Sequence, residues 1–275
     1  MNYTHSSFSY VFKNLWYIVL LSVLPGICLS GLADVEAMHG FYTHFFTGTL
    51  SEITWGEIFH TFSIYRFDGV LPSLFSVFSF LAIVLCASML LALIDKHMRI
   101  GKRTLNGIIE KLNDNVLSTF AVTVLFSVVY EIGTLIFSSL AYAIFVALPN
   151  LALQYVIFIV LLSVCAFALL YVISIFYLWL PCMQITGFQA FEALRYSNQI
   201  TEKVKRRIIT ALALSIIVGN LLIVPAAIFF PAPVVYGVML VVYMVYFMLF
   251  TVRMEVIYFD AAQLEREDLK KKYHE

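Results

Sequence analysis

Six long apolar runs dominate the chain, and the polar residues are gathered into sharply bounded segments between them. A helix rises about 1.5 Å per residue and needs about 20 apolar residues to cross a hydrocarbon core roughly 30 Å thick. The runs are Leu15–Leu32, Val70–Ile94, Val116–Leu148, Leu151–Leu180, Ile208–Phe230 and Val234–Val252. The third and fourth exceed that length, which predicts tilt or projection past the bilayer. Pro149 separates these two, and Pro231-Ala232-Pro233 separates the last two, so both pairs are joined by very short turns. The predicted fold is all-α: a polytopic membrane protein of six transmembrane helices in three hairpins, forming one integral membrane domain over residues 1–275.

A second periodicity precedes alternate spans. Phe8, Val11, Phe12 and Leu15 recur at helical spacing before the first, and Leu105, Ile108, Ile109, Leu112 and Val116 before the third. Phe188, Phe191 and Leu194, after Gly187, begin another such stripe before the fifth. Each predicts an amphipathic helix in the membrane interface, giving three copies of interfacial helix plus hairpin. Residue identities do not repeat with this pattern, and amphipathic elbows are common in any multi-pass chain.

Composition agrees with the spans. Hydrophobic residues make up 62% and charged residues 12%, against roughly half and a quarter in soluble domains. Lipid is therefore the expected solvent, and nothing points to nucleic acid.

Charge placement sets orientation. Of seventeen Lys and Arg residues, all but Arg66 fall on one side of the six spans. Lys13 precedes the first span; Lys96, Arg99, Lys102, Arg103 and Lys111 follow the second; Arg195, Lys203, Lys205, Arg206 and Arg207 precede the fifth; Arg253, Arg266, Lys270, Lys271 and Lys272 follow the sixth. Short loops rich in Lys and Arg stay in the cytoplasm. The expected location is a bacterial cell membrane with both termini cytoplasmic. Lys102, Arg103, Lys111, Arg195, Lys203, Lys205, Arg206 and Arg207 are the candidates for contact with lipid headgroups. In the 253–275 tail, Glu267 with Lys271 and Asp268 with Lys272 have the spacing of an exposed helix.

The first span reads as a retained anchor, because its flank holds one basic residue and no small-x-small cleavage site follows. Pro25-Gly26-Ile27-Cys28 is a poor lipoprotein box, with Ile27 where a small residue is wanted. Cys28, Cys86, Cys165 and Cys182 lie in or beside spans without paired spacing and read as small buried hydrophobes.

The segment 33–69 is the one long piece on the other side. It is rich in aromatics, and Thr54 with Glu57 forms a capping box before a face of Trp55, Ile58, Phe59 and Phe62. A helix resting on the outer leaflet or capping the bundle as a lid is expected. Glu36-Ala37-Met38-His39 and Glu57-Ile58-Phe59-His60 share the Glu-x-x-His spacing of carboxylate-bridged di-iron bundles, which makes Glu36, His39, Glu57 and His60 weak metal candidates, with Asp34, His44, Glu52 and Asp68 as residues that could complete a shell. The plainer reading is polar residues that keep an interfacial segment wet, and no metal or cofactor is expected.

Inside the spans one formal charge stands out. Glu131 lies roughly 22 Å along its helix from Val116, and Asn220 about 18 Å from Ile208. A carboxylate at mid-bilayer is costly unless paired, hydrated or protonated. Glu131, Asn220, Tyr130 and Thr134 form the candidate intramembrane polar site, beside Pro225, whose missing N–H frees a carbonyl. A proton relay or a cation or headgroup contact is one reading; a protonated acid bonded between helices is the other.

No Gly-rich phosphate loop and no dense catalytic cluster is present. Asp95-Lys96-His97 comes closest to one and reads as the end of the second span. The pattern points away from an enzyme.

Three short stretches carry a resemblance. Pro181-Cys182-Met183-Gln184-Ile185-Thr186-Gly187, Glu192-Ala193-Leu194-Arg195-Tyr196-Ser197 and Tyr258-Phe259-Asp260 resemble a group of bacterial six-span membrane proteins of unknown function. That group is similar to the membrane domain that precedes the catalytic barrel in some glycerophosphoryl diester phosphodiesterases. The resemblance implies a membrane module without that catalysis, since the chain has no room for the barrel, and it brings no site residues. The expectation is a non-enzymatic module that binds membrane lipid or a partner protein. The alternative is a small-solute or lipid transporter with its polar site at Glu131 and Asn220.

Overall fold

A computed structural model describes residues 3–101, 108–187 and 189–269, with the backbone alone over 108–115. Among the described residues there is no strand, and six helices are long and apolar enough to cross a membrane. In order the helices are α1 (Tyr3–Lys13), α2 (Leu15–Leu32), α3 (Val35–Thr47), α4 (Trp55–Phe62), α5 (Val70–Ile100), α6 (Ile108–Ala147), α7 (Leu151–Phe176), α8 (Trp179–Thr186), α9 (Ala190–Glu202), α10 (Lys205–Phe229) and α11 (Ala232–Ala261). The expected spans correspond to α2, α5, α6 from Val116, α7 with α8, α10 and α11.

The long helices run between two ends of unlike charge. At the basic end Tyr3 meets Asp260, and Tyr10 meets His97. At the acidic end Arg66 meets Asp34, and His39 meets the carbonyl of Ala227. α5 reaches Ile100 and α11 reaches Ala261, beyond the ends set by apolarity. The added turns are held by protein rather than lipid: Met98, Val256, Ile257 and Phe259 belong to the largest apolar cluster, with residues of α1, α2, α8 and α10.

The fourth run is not one helix. It breaks at Tyr177-Leu178, and α8 starts at Trp179. Pro181 explains the break, because in an unbroken helix its ring would meet the carbonyl of Tyr177, four residues back. In the first turn of a new helix it is tolerated.

α1 forms as its stripe predicts but turns a different face to the bundle. Tyr3, Ser7, Tyr10 and Val11 are buried, whereas Phe12 is 71% exposed. Tyrosines supply both apolar area and a hydroxyl that must find a partner, and the partners lie on α5 and α11. Phe8 and Phe12 are left on the outer face. The second elbow has no break before the span, since α6 is continuous from Ile108; Leu105 and Phe188 lie outside the described residues. On α9, Phe191 is exposed while Ala193, Ser197 and Thr201 are buried.

The expected solvated helix in the tail is a correction. α11 ends at Ala261, Gln263 adopts a left-handed conformation (φ 54°), and a short 3-10 turn spans Glu267–Leu269. The turn packs against the end of α5, where a Cβ on Gly101 would lie 3.3 Å from the Glu267 carbonyl oxygen. Asp268 is engaged by Arg266 through two bonds of 3.1 and 2.7 Å rather than reserved for a lysine four residues on. Lys270, Lys271 and Lys272 lie outside the described residues.

The 33–69 segment is the main departure. Where one helix was expected, on the outer leaflet or capping the bundle, two form, and α3 and α4 dock on the acidic-end halves of α6 and α7. Phe41 and Phe45 pack at a tilt against Phe158, and Phe62 meets Phe137 edge to face. Ile58 is fully buried in the same cluster. The excess length of the third and fourth runs thus has a protein partner. The capping box forms as expected, with Thr54 N donating to Glu57 Oε2 at 2.7 Å and Glu57 N to Thr54 Oγ1 at 3.2 Å. α3 comes so close that a Cβ on Gly40 would stand 2.4 Å from Glu57 Oε1. Gly40→Ala should therefore push the carboxylate off its cap and cost about 1 kcal/mol, seen as a lower melting temperature that Glu57→Ala does not lower further when added.

Candidate functional site

Glu131 faces the docked segment. α4 ends at Phe62, so the backbone N–H groups of Ile64 and Tyr65 lie beyond the helical bonding pattern, and the Glu131 carboxylate is their acceptor. Oε1 accepts from Ile64 N at 2.9 Å and Tyr65 N at 3.1 Å; Oε2 accepts from Ser63 Oγ at 2.8 Å. One residue before, the Tyr130 hydroxyl donates to the Phe62 carbonyl at 2.7 Å. Thr134 is buried one turn on. These residues form a clamp on residues 62–65 at the level where the connection passes into α5.

Asn220 does not join them. It is exposed on α10, and its amide donates to the Ile216 carbonyl of its own helix at 3.0 Å. The expected cluster therefore divides into a clamp at α6 and a single locally bonded amide on α10. The intervening part of α10 is closed by Tyr246, whose hydroxyl donates to the Ser215 carbonyl at 2.8 Å and fills the space over Gly219.

The metal candidates are likewise dispersed. Glu57 holds the α4 cap, His39 bonds the Ala227 carbonyl at 2.9 Å, and Glu36 is exposed. Only His60 comes beside residues expected to complete a shell, Asp34 and Asp68, their ligand atoms within 4.8 Å of one another. Arg66 stands in that group, with Nη2 3.1 Å from Asp34 and 2.6 Å from Asp68. Its hydrogen bond holds the Asp68 carboxyl below the usual range. A guanidinium already supplies the positive charge that two carboxylates call for.

The basic end carries features that the apolar pattern did not isolate. Tyr3 donates to Asp260 Oδ2 at 2.6 Å, and its ring lies under the Arg207 guanidinium at 5.9 Å. Burial, with Asp260 second, pushes its hydroxyl up to about 12. Tyr10 shares hydrogen bonds with Tyr17 and with His97 Nδ1. Arg253, placed by sequence at the start of the tail, is 1% exposed and donates to the Ala211 carbonyl at 3.0 Å and Ser215 Oγ at 3.1 Å. Asp95 is buried and accepts from Arg99 Nε at 2.6 Å. The available signal was the spacing of Tyr3, Ser7 and Tyr10, which puts three hydroxyls on one helical face.

Of the headgroup candidates, Arg195, Lys203, Arg206 and Arg207 are exposed on α9, α10 and their junction. Lys205 lies 3.6 Å over the Tyr171 ring. Lys102, Arg103 and the Lys111 side chain lie outside the described residues. Between α1 and α10 runs a groove of about 810 Å³ lined by Tyr3, His5, Phe8, Arg206, Arg207 and Leu214, among others. A smaller hollow beside it is formed by His5, Phe8, Phe12 and Lys13.

The four cysteines are free thiols, three of them buried. Compared with known protein families, with curated proteins and with solved structures, the chain matches none.

Proposed function

We propose that the protein is a non-enzymatic multi-pass membrane module whose basic end faces the cytoplasm and recruits anionic lipid. On this reading the six spans pair as three hairpins, N-in and C-in, with α1 and α9 as interfacial helices in a bacterial cell membrane. It is the same kind of module as the membrane domain that the three short motifs resemble.

The observation that carries the proposal is the company the basic side chains keep. Exposed Arg195, Lys203, Arg206 and Arg207 share one end of the bundle with exposed Phe12, Trp16 and Phe191. Trp16 is 92% exposed beside the start of the first span. Aromatic rings favour the headgroup level, and each basic residue near an anionic leaflet is worth about 1 kcal/mol of attraction. A transporter would need polar groups converging on a path through the spans; Glu131 and Asn220 are bound in separate places.

Spin-labelled lipids in reconstituted bilayers test this directly. The fraction immobilised at the protein should be larger for phosphatidylglycerol than for phosphatidylcholine, and the difference should shrink in high salt as the charges are screened. Equal fractions at low salt would overturn the reading. For orientation, a reporter that fluoresces only in the cytoplasm should be bright on the C-terminus; a dark fusion on a protein that is otherwise inserted would reverse it.

A further inference from the structure

We propose that the groove between α1 and α10 holds one anionic glycerophospholipid, with its phosphate at Arg206, Arg207 and His5 and an acyl chain along Phe8 and Leu214. This rests on the lipid-binding reading and narrows it to one site.

The first argument is a local conflict of charge. α10 begins Lys205-Arg206-Arg207, with no acidic residue in its first turn. A helix N-terminus carries a partial positive charge, so three cations there are unfavourable by themselves. Among the described residues neither Arg206 nor Arg207 has an ion-pair partner. The nearby acid, Asp260, accepts the Tyr3 hydroxyl, and Arg207 lies over that ring. An anion at the arginines would answer helix dipole and side chains together, and planar guanidinium groups suit phosphate oxygens.

The second argument is the shape of the amphiphile. On α10 the groove is lined by Arg206 and Arg207 and, further along the helix, by Ala211 and Leu214; on α1 Phe8 lines it. Leu214 lies seven residues from Arg207, about 10 Å along the helix toward the apolar belt. A headgroup at the arginines would thus place its first acyl carbons against apolar side chains. A free phosphate would leave Phe8 and Leu214 unused. A choline headgroup would bring a cation against the arginines, so phosphatidylglycerol is the preferred probe over phosphatidylcholine.

The experiment is native mass spectrometry of the full chain released from nanodiscs of phosphatidylcholine with a minority of phosphatidylglycerol. One phosphatidylglycerol should remain per chain. Arg206→Gln with Arg207→Gln should reduce its retention about tenfold or more, as the loss of charge-assisted hydrogen bonds implies. Because Arg207 packs over Tyr3, the double variant could also loosen α1. Thr210→Glu, at an exposed position in the groove, adds a repelling charge without touching Tyr3 and should reduce retention similarly. Arg195→Gln on α9 with Lys203→Gln just past its end should leave it intact.

Unchanged retention in both groove variants, with the spin-label preference still present, would overturn the groove and leave the broader reading standing. Loss of that preference in the native protein would overturn both. Displacement of the bound species by inorganic phosphate alone would show that the acyl chain contributes nothing and would also overturn the proposal.

Discussion

Glu131→Ala will destabilise the protein by about 3 kcal/mol, whereas Glu131→Gln will stay within about 1 kcal/mol of the parent. The carboxylate is the acceptor for two backbone N–H groups and is bonded to the Ser63 hydroxyl, all at the point where α4 ends. Alanine leaves the Ile64 and Tyr65 amides without their acceptor. Glutamine keeps one acceptor oxygen for them. Its amide can then donate to Ser63 Oγ, because the single Ser63 proton can go wholly to the Tyr65 carbonyl, already 2.7 Å away. What glutamine gives up is the extra strength of a charged acceptor.

The measurement is thermal unfolding in detergent or nanodiscs, together with limited proteolysis of residues 33–69. Alanine should lower the melting temperature and open that segment to cleavage, with the rest of the bundle holding longer. An alanine variant as stable and as resistant as the parent would show that the clamp is not what fixes the segment. The same pair also separates structure from transport. A proton relay requires a titrating acid, so a glutamine variant that is stable yet loses a measured flux would restore the transport alternative.

The second large effect is expected at Gly26. A Cβ there would lie 3.1 Å from Met244 Cβ, 3.2 Å from the Leu240 carbonyl oxygen and 3.3 Å from Met244 Cα. These neighbours are backbone and near-backbone atoms of α11, which cannot swing aside as a side-chain tip can. α2 packs between α5 and α11, with Ile18 fully buried in the main cluster. Gly26→Ala should cost about 1–3 kcal/mol, the usual range for overpacking. Gly26→Val adds two methyl groups in the same space and should separate α2 from α11, giving a chain that inserts but does not resist protease at the basic end.

Gly133→Ala is the matched control. It lies on α6 two residues from Glu131, and a Cβ there meets nothing within 4 Å. It should be neutral. If valine at 26 is as well tolerated as alanine at 133, the close approach of α2 to α11 does not hold in the folded protein.

The elements most legible in the sequence were those whose cause is local. Apolar length against bilayer thickness placed six helices, and their central portions stand where the runs put them. The Thr54 and Glu57 cap was readable because both partners lie within one turn. The ends were less legible. α5 and α11 continue because Met98 and Val256 are covered by distant parts of the chain, and a hydropathy pattern cannot distinguish that cover from lipid. Pro181 was visible, but its effect four residues back, at Tyr177, was lost in a run that is otherwise uniformly apolar.

The candidate sites divide in the same way. Glu131 stood out in the sequence as the charge that needs an explanation, because a carboxylate within an apolar run is anomalous whatever surrounds it. Its partners, Ser63, Ile64 and Tyr65, are more than sixty residues away in sequence. Two of the three bonds go to backbone amides, which no side-chain pattern marks. Asn220 was placed beside it on depth alone, and depth does not say which way a helix turns. Arg253 was read as the first residue of a tail because a charge ends an apolar run. In the fold it is enclosed by α10, where the Ala211 carbonyl and Ser215 Oγ accept from its two terminal nitrogens.

By itself the sequence determined the helical class, the number and rough extent of apolar helices, the gathering of basic residues beside their ends and the Thr54–Glu57 cap, made within a turn. Each follows from a short-range rule: rise per residue, bilayer thickness, or a side chain reaching its own backbone. Only the tertiary structure decided that residues 33–69 clad α6 and α7, that Glu131 holds Ser63, Ile64 and Tyr65, which face of α1 is buried, and that Arg206 and Arg207 line a groove with α1. Those depend on the rotation and approach of helices far apart in the chain, set by close packing at positions such as Gly26 and Gly219 and by hydrogen bonds between distant residues. The periodicity of one helix holds no record of its neighbours.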